Sequence, residues 1–270
     1  MKEMSRFDLQ FVFTSRRRCR LSRNLLLGFL LLWGMLPVAV QAELWSRTAI
    51  SGMQDVAMAP NGLIWLTGKN GAVWKSDNIY ASSLTVVEGS SGFSRIAAGP
   101  GGIVWAVKSN GSLWKFAAGS WTEASAKEME DVAIAPEGKV WLVAKNGAIW
   151  FRDDQGQQFT RIESDGFRRI SAGPDNVVWA IKSDGSLWRL AANSWTQTPM
   201  GGIEDVAVAS NGLIWLTGKN GVLWSSLDGG ATFNQDDEVN GLENIAAGRR
   251  GAWAVGFDGT LWHKFFSPQF

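Results

Sequence analysis

Charged residues of alternating sign recur through the chain at intervals of 36 to 40 residues. The series is Asp55, Arg95, Asp131, Arg169 and Asp205, with Asn244 in the sixth place. Three carboxylates that a repeating fold brings together could hold a metal ion or perform acid–base chemistry. Because the signs alternate, we favour a structural interpretation, in which aspartates and arginines of neighbouring repeats form ion pairs.

A second series joins amines to amides or carboxylates at the same spacing. Its members are Lys69 and Asn70, Lys108 and Asn110, Lys145 and Asn146, Lys182 and Asp184, and Lys219 and Asn220. Sugars are bound by aromatic faces together with hydrogen-bonding amides and carboxylates. A turn requirement explains the Asn and Asp residues but leaves the lysines unexplained, so we interpret this series as candidate carbohydrate-binding residues.

Residues for covalent and metal chemistry are scarce. The one histidine, His263, has no second histidine or cysteine with which to form the usual kind of zinc site. The one cysteine, Cys19, precedes a long apolar run, and the sequence contains neither a recognisable Ser/His/Asp set nor a glycine-rich phosphate loop. We therefore expect no enzymatic activity, no metal site and no cofactor.

Tryptophan marks six repeats, in each of which two tryptophans lie nine positions apart with Asn-Gly or Asp-Gly between them. The pairs are Trp65 and Trp74, Trp105 and Trp114, Trp141 and Trp150, Trp179 and Trp188, Trp215 and Trp224, and Trp253 and Trp262. These dipeptides accept the positive φ angles of a tight turn, so each repeat is predicted to contain a β-hairpin. A two-residue loop would place both tryptophans on one face of the hairpin.

The repeats predict an all-β fold, a six-bladed β-propeller of four-stranded blades. A short apolar segment such as residues 56–59 precedes each hairpin, and odd and even repeats differ in sequence, so the ring should be pseudo-threefold. The last repeat lacks an outer strand, whereas Trp45 lies ten residues before Asp55, as Trp121 does before Asp131. We expect the N-terminal strand, near residues 44–50, to close the sixth blade. The alternative, an open solenoid, would require atypical end repeats.

The even repeats resemble tectonin repeats, which share a pattern of Val-Trp-Ala-Val followed by a glycine turn, Leu-Trp and a trailing Trp. The similarity is clearest over residues 95–121 and 169–195. It implies a propeller that binds sugars or lipopolysaccharide, or one that serves as a protein-interaction module.

The odd repeats carry a second signature, which resembles the Asp box of sialidase-like propellers. It is complete over residues 226–233, with Asp228 as its acidic residue, and degenerate over residues 154–159. Asp boxes brace a turn and perform no chemistry, and the only tyrosine, Tyr80, lacks the setting of a sialidase nucleophile. We therefore assign Asp228 a structural role.

Two functions of different classes follow from these resemblances. The first is an exported lectin that recognises a glycan or lipopolysaccharide, and the second is a periplasmic protein-interaction scaffold that binds no sugar. Without residues 1–42 the chain has 19 basic and 23 acidic residues, which makes nucleic acid an unsuitable partner.

The N-terminus has the pattern of a secretory signal. Five arginines between Arg16 and Arg23 precede an apolar run over residues 25–40, which is shorter than the roughly 20 residues that span a bilayer, and small residues follow at Val40 and Ala42. We expect a signal peptide over residues 1–42, a propeller over 43–270 without a transmembrane span, and a periplasmic or secreted location. The alternative is an uncleaved N-terminal anchor.

The exported form should begin at Glu43, because cleavage after Ala42 places small residues where a signal peptidase requires them, and Cys19 should carry no lipid. Intact-mass measurement of the periplasmic and medium fractions checks both points. A mass that includes residues 1–42, or an added acyl chain, would contradict this interpretation.

Overall fold

The computed structural model describes residues 44–153, 158–162 and 165–266, which form six four-stranded antiparallel sheets. The predicted signal peptide, its cleavage site, Cys19 and residues 154–157 of the degenerate Asp box lie outside the described residues. Strands are numbered along the chain. The inner strands are β2 (Met53–Met58), β6 (Phe93–Ala98), β10 (Met129–Ile134), β14 (Phe167–Ala172), β18 (Ile203–Val208) and β22 (Leu242–Gly248).

Each inner strand pairs with a second strand, which turns through a hairpin into a third. The second strands are β3 (Ile64–Gly68), β7 (Val104–Lys108), β11 (Val140–Ala144), β15 (Val178–Lys182), β19 (Ile214–Gly218) and β23 (Gly251–Gly256). The third strands are β4 (Val73–Ser76), β8 (Leu113–Ala117), β12 (Ile149–Arg152), β16 (Leu187–Ala191), β20 (Leu223–Ser226) and β24 (Leu261–Phe265). The outer strands are β5 (Leu84–Val86), β9 (Ser120–Glu123), β13 (Thr160–Ile162), β17 (Ser194–Gln197), β21 (Asn234–Asp236) and β1 (Ser46–Arg47). The predicted six-bladed propeller is confirmed.

The hairpin between the second and third strands holds three loop residues, so the expectation of a two-residue loop is wrong. In the first blade, Gly68 N–H donates to the carbonyl of Ala72 and only Gly71 has a positive φ. The strands pair Trp65 with Lys75 and Leu66 with Trp74. An odd loop length shifts the register by one residue, and the two tryptophans therefore lie on opposite faces of the blade.

In this register every blade places one tryptophan in each of the two interfaces that it shares with its neighbours. The first tryptophan of a blade packs toward the next blade, as Trp65 does against Phe93 and Ile96, and is buried in all six blades. The second packs toward the preceding blade, as Trp114 does in the same cluster, and stays half-buried. The result is six apolar cores, one between each pair of neighbouring blades. Burial of each tryptophan face stabilises the fold by several kcal/mol before opposing costs are subtracted, an upper estimate at about 25 cal/mol per Å².

A belt of backbone hydrogen bonds joins the blades at the hairpins. The first residue of each inner strand donates its N–H to the hairpin glycine carbonyl of the preceding blade, at 2.9 to 3.3 Å around the whole ring. In the first two blades, Phe93 donates to Gly71 at 3.0 Å. A Cβ on Gly71 would lie 2.5 Å from the backbone nitrogen of Gly92, and its φ is +78°. Glycine is therefore required there both by the turn and by the close approach of the next blade.

The N-terminal strand completes the sixth blade, as expected. Ser46 pairs with His263 and Arg47 with Trp262, and the belt continues from Met53 to Gly259. Trp45, 8% exposed, packs edge-on against Trp215 at 5.7 Å between ring centroids and donates its indole N–H to Asp236.

Hydrogen bonds within the turn after β20 hold its shape. Asp228 accepts hydrogen bonds from the hydroxyl groups of Ser226 and Thr232 and from the backbone N–H of Thr232. These hydrogen bonds hold the pKa of Asp228 well below its usual range, and the bond from the Thr232 hydroxyl has the largest effect. In the first blade Asn78 accepts the corresponding hydrogen bonds from the backbone N–H and the hydroxyl group of Ser82. The sequence of that turn resembles the Asp box only weakly.

Trp45→Ala should lower the free energy of unfolding by about 3 to 5 kcal/mol, because it opens a cavity at the interface that closes the ring. Denaturant unfolding followed by tryptophan fluorescence measures this change. The matched control is Leu44→Ala, since Leu44 is 64% exposed and should contribute little. Closure by this strand would be refuted if a chain starting at Met53 kept the melting temperature of one starting at Glu43.

Candidate functional site

The starts of the six inner strands surround an axial channel. We call the face that carries these starts and the hairpin tips the upper face, and the opposite face the lower face. A cavity of about 110 Å³ lies on the axis and is lined by Asp55, Arg95, Asp131 and Asp205. The structure therefore brings together all three aspartates of the alternating series.

Each of these aspartates caps the backbone of the next blade. Asp55 accepts the N–H of Ile96, and Asp131 and Asp205 accept the equivalent N–H groups of Ile170 and Ile245, each at 2.9 Å. Among the described residues, no group of three or more His, Cys, Asp or Glu side chains is placed to hold a metal ion. The carboxylates thus connect neighbouring blades.

The two arginines of the series differ in their contacts. Arg95 lies 3.6 Å from Asp55 and donates a 2.6 Å hydrogen bond to the side-chain oxygen of Asn244, so it links the second, first and sixth blades. Arg169 contacts the carbonyl of Arg168 and lies 3.9 Å from Glu204, and the described contacts include no ion pair between it and Asp131. Arg95 is therefore the cation nearest to the axial carboxylates.

Three carboxylates and one guanidinium leave excess negative charge in a buried space. Burial, together with the neighbouring Asp55, raises the pKa of Asp205 to about 7, although Arg95 opposes the shift. Burial also raises the pKa of Asp131 well above its usual value, and that of Asp55 to a lesser degree. Burial lowers the pKa of Arg95, but attraction to Asp55 and the other two aspartates outweighs it and raises that pKa overall.

The candidate lysines all lie on the upper face and fall into two classes. In even blades the lysine is the last residue of the second strand and covers aromatic rings of its own blade. Lys108 lies 4.3 Å from the ring centroid of Trp114, and Lys182 lies 4.7 Å from that of Trp188. These two ammonium groups make cation–π contacts within the fold.

In odd blades the lysine belongs to the loop and reaches across to the preceding even blade. Lys69 approaches the carbonyl of Phe257 at 3.5 Å and Lys219 approaches that of Ser183 at 3.4 Å. The Lys145 ammonium group lies 3.1 Å from the place of a Cβ on Gly111 of the second blade, and 3.7 Å from Glu128 at the start of its own blade. All three lysines are exposed. They form three pseudo-equivalent polar sites, which we call the seam sites, at the junctions of blades 6 and 1, 2 and 3, and 4 and 5.

The Asn and Asp residues of the series hold the turns. Each accepts a hydrogen bond from the backbone N–H two residues later, as Asn70 does from Ala72 and Asp184 from Ser186. Asn110, Asn146 and Asn220 do the same. All five of these residues are exposed.

One residue of this face was missed in the sequence. Phe257 is 48% exposed and occupies the loop position that Ser109 and Ser183 hold in the other even blades. One edge of its ring lies 2.9 Å from the place of a Cβ on Gly221, so it lies over the hairpin of the fifth blade. The departure of the sixth repeat from the pattern of repeats two and four was the signal that could have identified it.

Raising the pH from about 4 to 8 should destabilise the ring, and Asp205→Asn should reduce this effect. The folded pKa of about 7 lies above the ordinary 3.8, so the stabilisation from the protonated form is complete below pH 4 and is lost as the pH rises through 7. At about 1.4 kcal/mol per pKa unit, the loss amounts to a few kcal/mol. Urea unfolding at several pH values measures it.

Asp184→Asn is the matched control. Hydrogen bonds from Ser186 lower the pKa of this exposed carboxyl, so its contribution changes only in acid, below the tested window. Equal pH slopes for the wild type and Asp205→Asn would contradict the assignment.

Comparison with known proteins places the fold among propellers of diverse function. Solved structures with the same fold include XC5397 from Xanthomonas campestris, described as a gluconolactonase (11% identity, 85% and 93% of the two chains, TM-score 0.63). Virginiamycin B lyase from Staphylococcus aureus (15%, 82% of both chains, 0.57) and YCF48 bound to D1 peptide (18%, 81% and 79%, 0.55) also share it. No match was found among curated proteins.

These neighbours correct one expectation. The expectation of no enzymatic activity is wrong as a deduction from fold and family, because gluconolactonase-type propellers share the architecture. At 11% to 18% identity the likeness shows the fold alone. Among the described residues, no helix is long and apolar enough to cross a membrane.

The family resemblance rests on sequence as well as on architecture. Residues 52–158, which hold the first two blades and most of the third, match the model of the Tectonin domain. The resemblance inferred from the repeats is thereby confirmed: over these residues the chain matches the Tectonin domain, within a six-bladed propeller of four-stranded blades.

Proposed function

We propose that this protein is an exported carbohydrate-binding propeller, which recognises glycan or lipopolysaccharide sugars at the seam sites of its upper face. The observation that carries the proposal is the seam between blades 6 and 1. There the Lys69 ammonium group approaches the backbone carbonyl of Phe257 at 3.5 Å, in a hairpin that also carries Asp258, and the exposed ring of Phe257 extends from the same hairpin over the fifth blade.

The hairpin of the sixth blade combines the two kinds of contact that sugars use, the polar one toward the first blade and the aromatic one toward the fifth. The ring of Phe257 offers an apolar face for the C–H groups of a pyranose. Arg47 and Asp258 form an exposed ion pair at 2.8 Å, and together with Lys69 they supply donors and acceptors for hydroxyl groups. Their exposure makes the site shallow, which agrees with weak binding in the range of about 10 μM to 1 mM.

The two remaining seams carry the polar half of this arrangement. Lys145 lies beside Glu128 and the Gly111 hairpin, and Lys219 lies beside Ser183 and Asp184, without an aromatic residue at the loop position of Phe257. We infer that they serve as weaker secondary sites. Three sites on one rigid ring would bind a glycan-coated surface more tightly than one site binds a free sugar.

A glycan array followed by calorimetric titration of the best hit tests the proposal. Phe257→Ser should weaken binding at least tenfold, and serine should be tolerated because it occupies the same position in blades 2 and 4. The matched control is Leu227→Ser, which removes an exposed apolar side chain (84%) from the lower face and should leave affinity unchanged. The triple variant Lys69→Ala, Lys145→Ala and Lys219→Ala should abolish retention on polysaccharide resin.

A protein-interaction scaffold is the second candidate. The favouring observation is that YCF48, a propeller of the same fold, was solved with a bound peptide. If no glycan or lipopolysaccharide binds and a protein partner is recovered by pull-down, the lectin proposal is overturned in favour of the scaffold.

A further inference from the structure

The lower face holds a cavity that the proposed function does not use. It has a volume of about 320 Å³ and lies where the inner strands end, at the opposite mouth of the channel from the axial carboxylates. This volume is at the small end of the range for ligand pockets in proteins. The cavity is therefore large enough for a small organic molecule.

Its floor is an apolar constriction of the channel. The larger side chains come from odd blades and alternate with alanines from even blades; they are Met58, Ile134 and Val208, with Ala98, Ala172 and Ala247 between them. No acidic residue lines the cavity. The lower mouth therefore differs in chemistry from the upper channel, where three carboxylates meet.

The rim of the cavity breaks the symmetry of the ring. In the sixth blade Gly248 pairs with Gly251, so the turn between the first two strands contains only Arg249 and Arg250. The other blades have Pro or Ser followed by Asn, Asp, Gly or Glu at this turn. Phe265 and Ile79 extend the apolar wall on the side of blades 6 and 1.

Within the described part of the chain, no acidic side chain pairs with the two arginines at this rim. Both are exposed, and neither guanidinium forms an ion pair or a hydrogen bond with the residues that the structure describes. An arginine guanidinium recognises a planar carboxylate through two parallel hydrogen bonds. Binding is strengthened when an apolar wall excludes water beside the ion pair. The arrangement suits a ligand with one anionic end and an apolar body.

We propose that the lower-face cavity binds a small amphipathic anion, with its carboxylate at Arg249 and Arg250 and its apolar body against Met58, Ile134 and Val208. This site is independent of the seam sites, which lie on the other face. It also requires one ligand orientation, because cationic groups line the cavity only on the side of the sixth blade.

The test is calorimetric titration with 4-phenylbutyrate, beside its alcohol 4-phenylbutan-1-ol and its amine 4-phenylbutylamine. We expect the carboxylate to bind at least tenfold more tightly than the alcohol and the amine to give no measurable heat. The double variant Arg249→Ala and Arg250→Ala should weaken 4-phenylbutyrate binding at least tenfold. Arg161→Ala, which removes an exposed arginine from outer strand β13, is the matched control and should leave it unchanged.

A second variant tests the apolar half of the site. Ala247→Ile fills the constriction from the sixth blade and should weaken binding of the carboxylate and the alcohol alike, with a melting temperature measured in parallel to show that the variant folds. Phe257→Ser should not affect this titration, which separates the proposal from glycan binding. Failure of 4-phenylbutyrate to bind, or binding that the double arginine variant leaves unchanged, would overturn the proposal.

Discussion

The propeller depends on one repeated contact, in which the first residue of each inner strand donates its N–H to the hairpin glycine carbonyl of the preceding blade. This bond fixes the height and rotation of each blade relative to its neighbour. It thereby places the hairpin tips beside one another, so that a loop lysine reaches across the junction. It also sets the starts of the inner strands in one ring, which brings the three aspartates to the axis.

The duplicated pair of blades gives the ring its chemical alternation. Odd blades contribute a buried carboxylate at the axis, a lysine at the tip and a large apolar residue at the lower mouth. Even blades contribute an arginine or asparagine and an alanine, and the second and fourth also contribute a lysine held on aromatic rings. Charge is therefore segregated along the channel, acidic above and apolar with two arginines below. The sixth blade departs from this pattern at Asn244, Arg249, Arg250 and Phe257, and both proposed sites include one or more of these residues.

The sequence was sufficient to predict the number of blades and the core, since both depend on spacing that recurs six times, and it was sufficient to predict the closing strand. Trp45 was placed in the sixth blade because it has the same offset to Asp55 that Trp121 has to Asp131. The hairpin loop was misjudged because Asn-Gly fits a two-residue turn and equally a three-residue loop in which only the glycine has a positive φ. That difference of one residue decides which face each tryptophan occupies.

Functional residues were harder to predict, for a physical reason. Lys108 and Lys69 look equivalent in the sequence, yet they differ by one position, which places one on a strand over a ring and the other in a loop across a junction. Phe257 was not identified because a search for recurring residues favours the residues that build the blades. Neither Phe257 nor the arginine turn, the residues that distinguish the two proposed sites, belongs to a repeated set.

The pairing of β1 with β24 has a consequence for how the ring folds. Thr48 donates its hydroxyl to the carbonyl of Leu261, a contact with a sequence separation of 213 residues. Closing a loop of that length costs conformational entropy before any packing compensates for it, and such long-range contacts slow folding. Five blades assemble from residues close in sequence, but the sixth must wait until β24 has been synthesised. Until β1 and β24 pair, β1 has no partner and β24 has an open edge, which makes the incomplete ring a substrate for chaperones and for domain swapping between two chains.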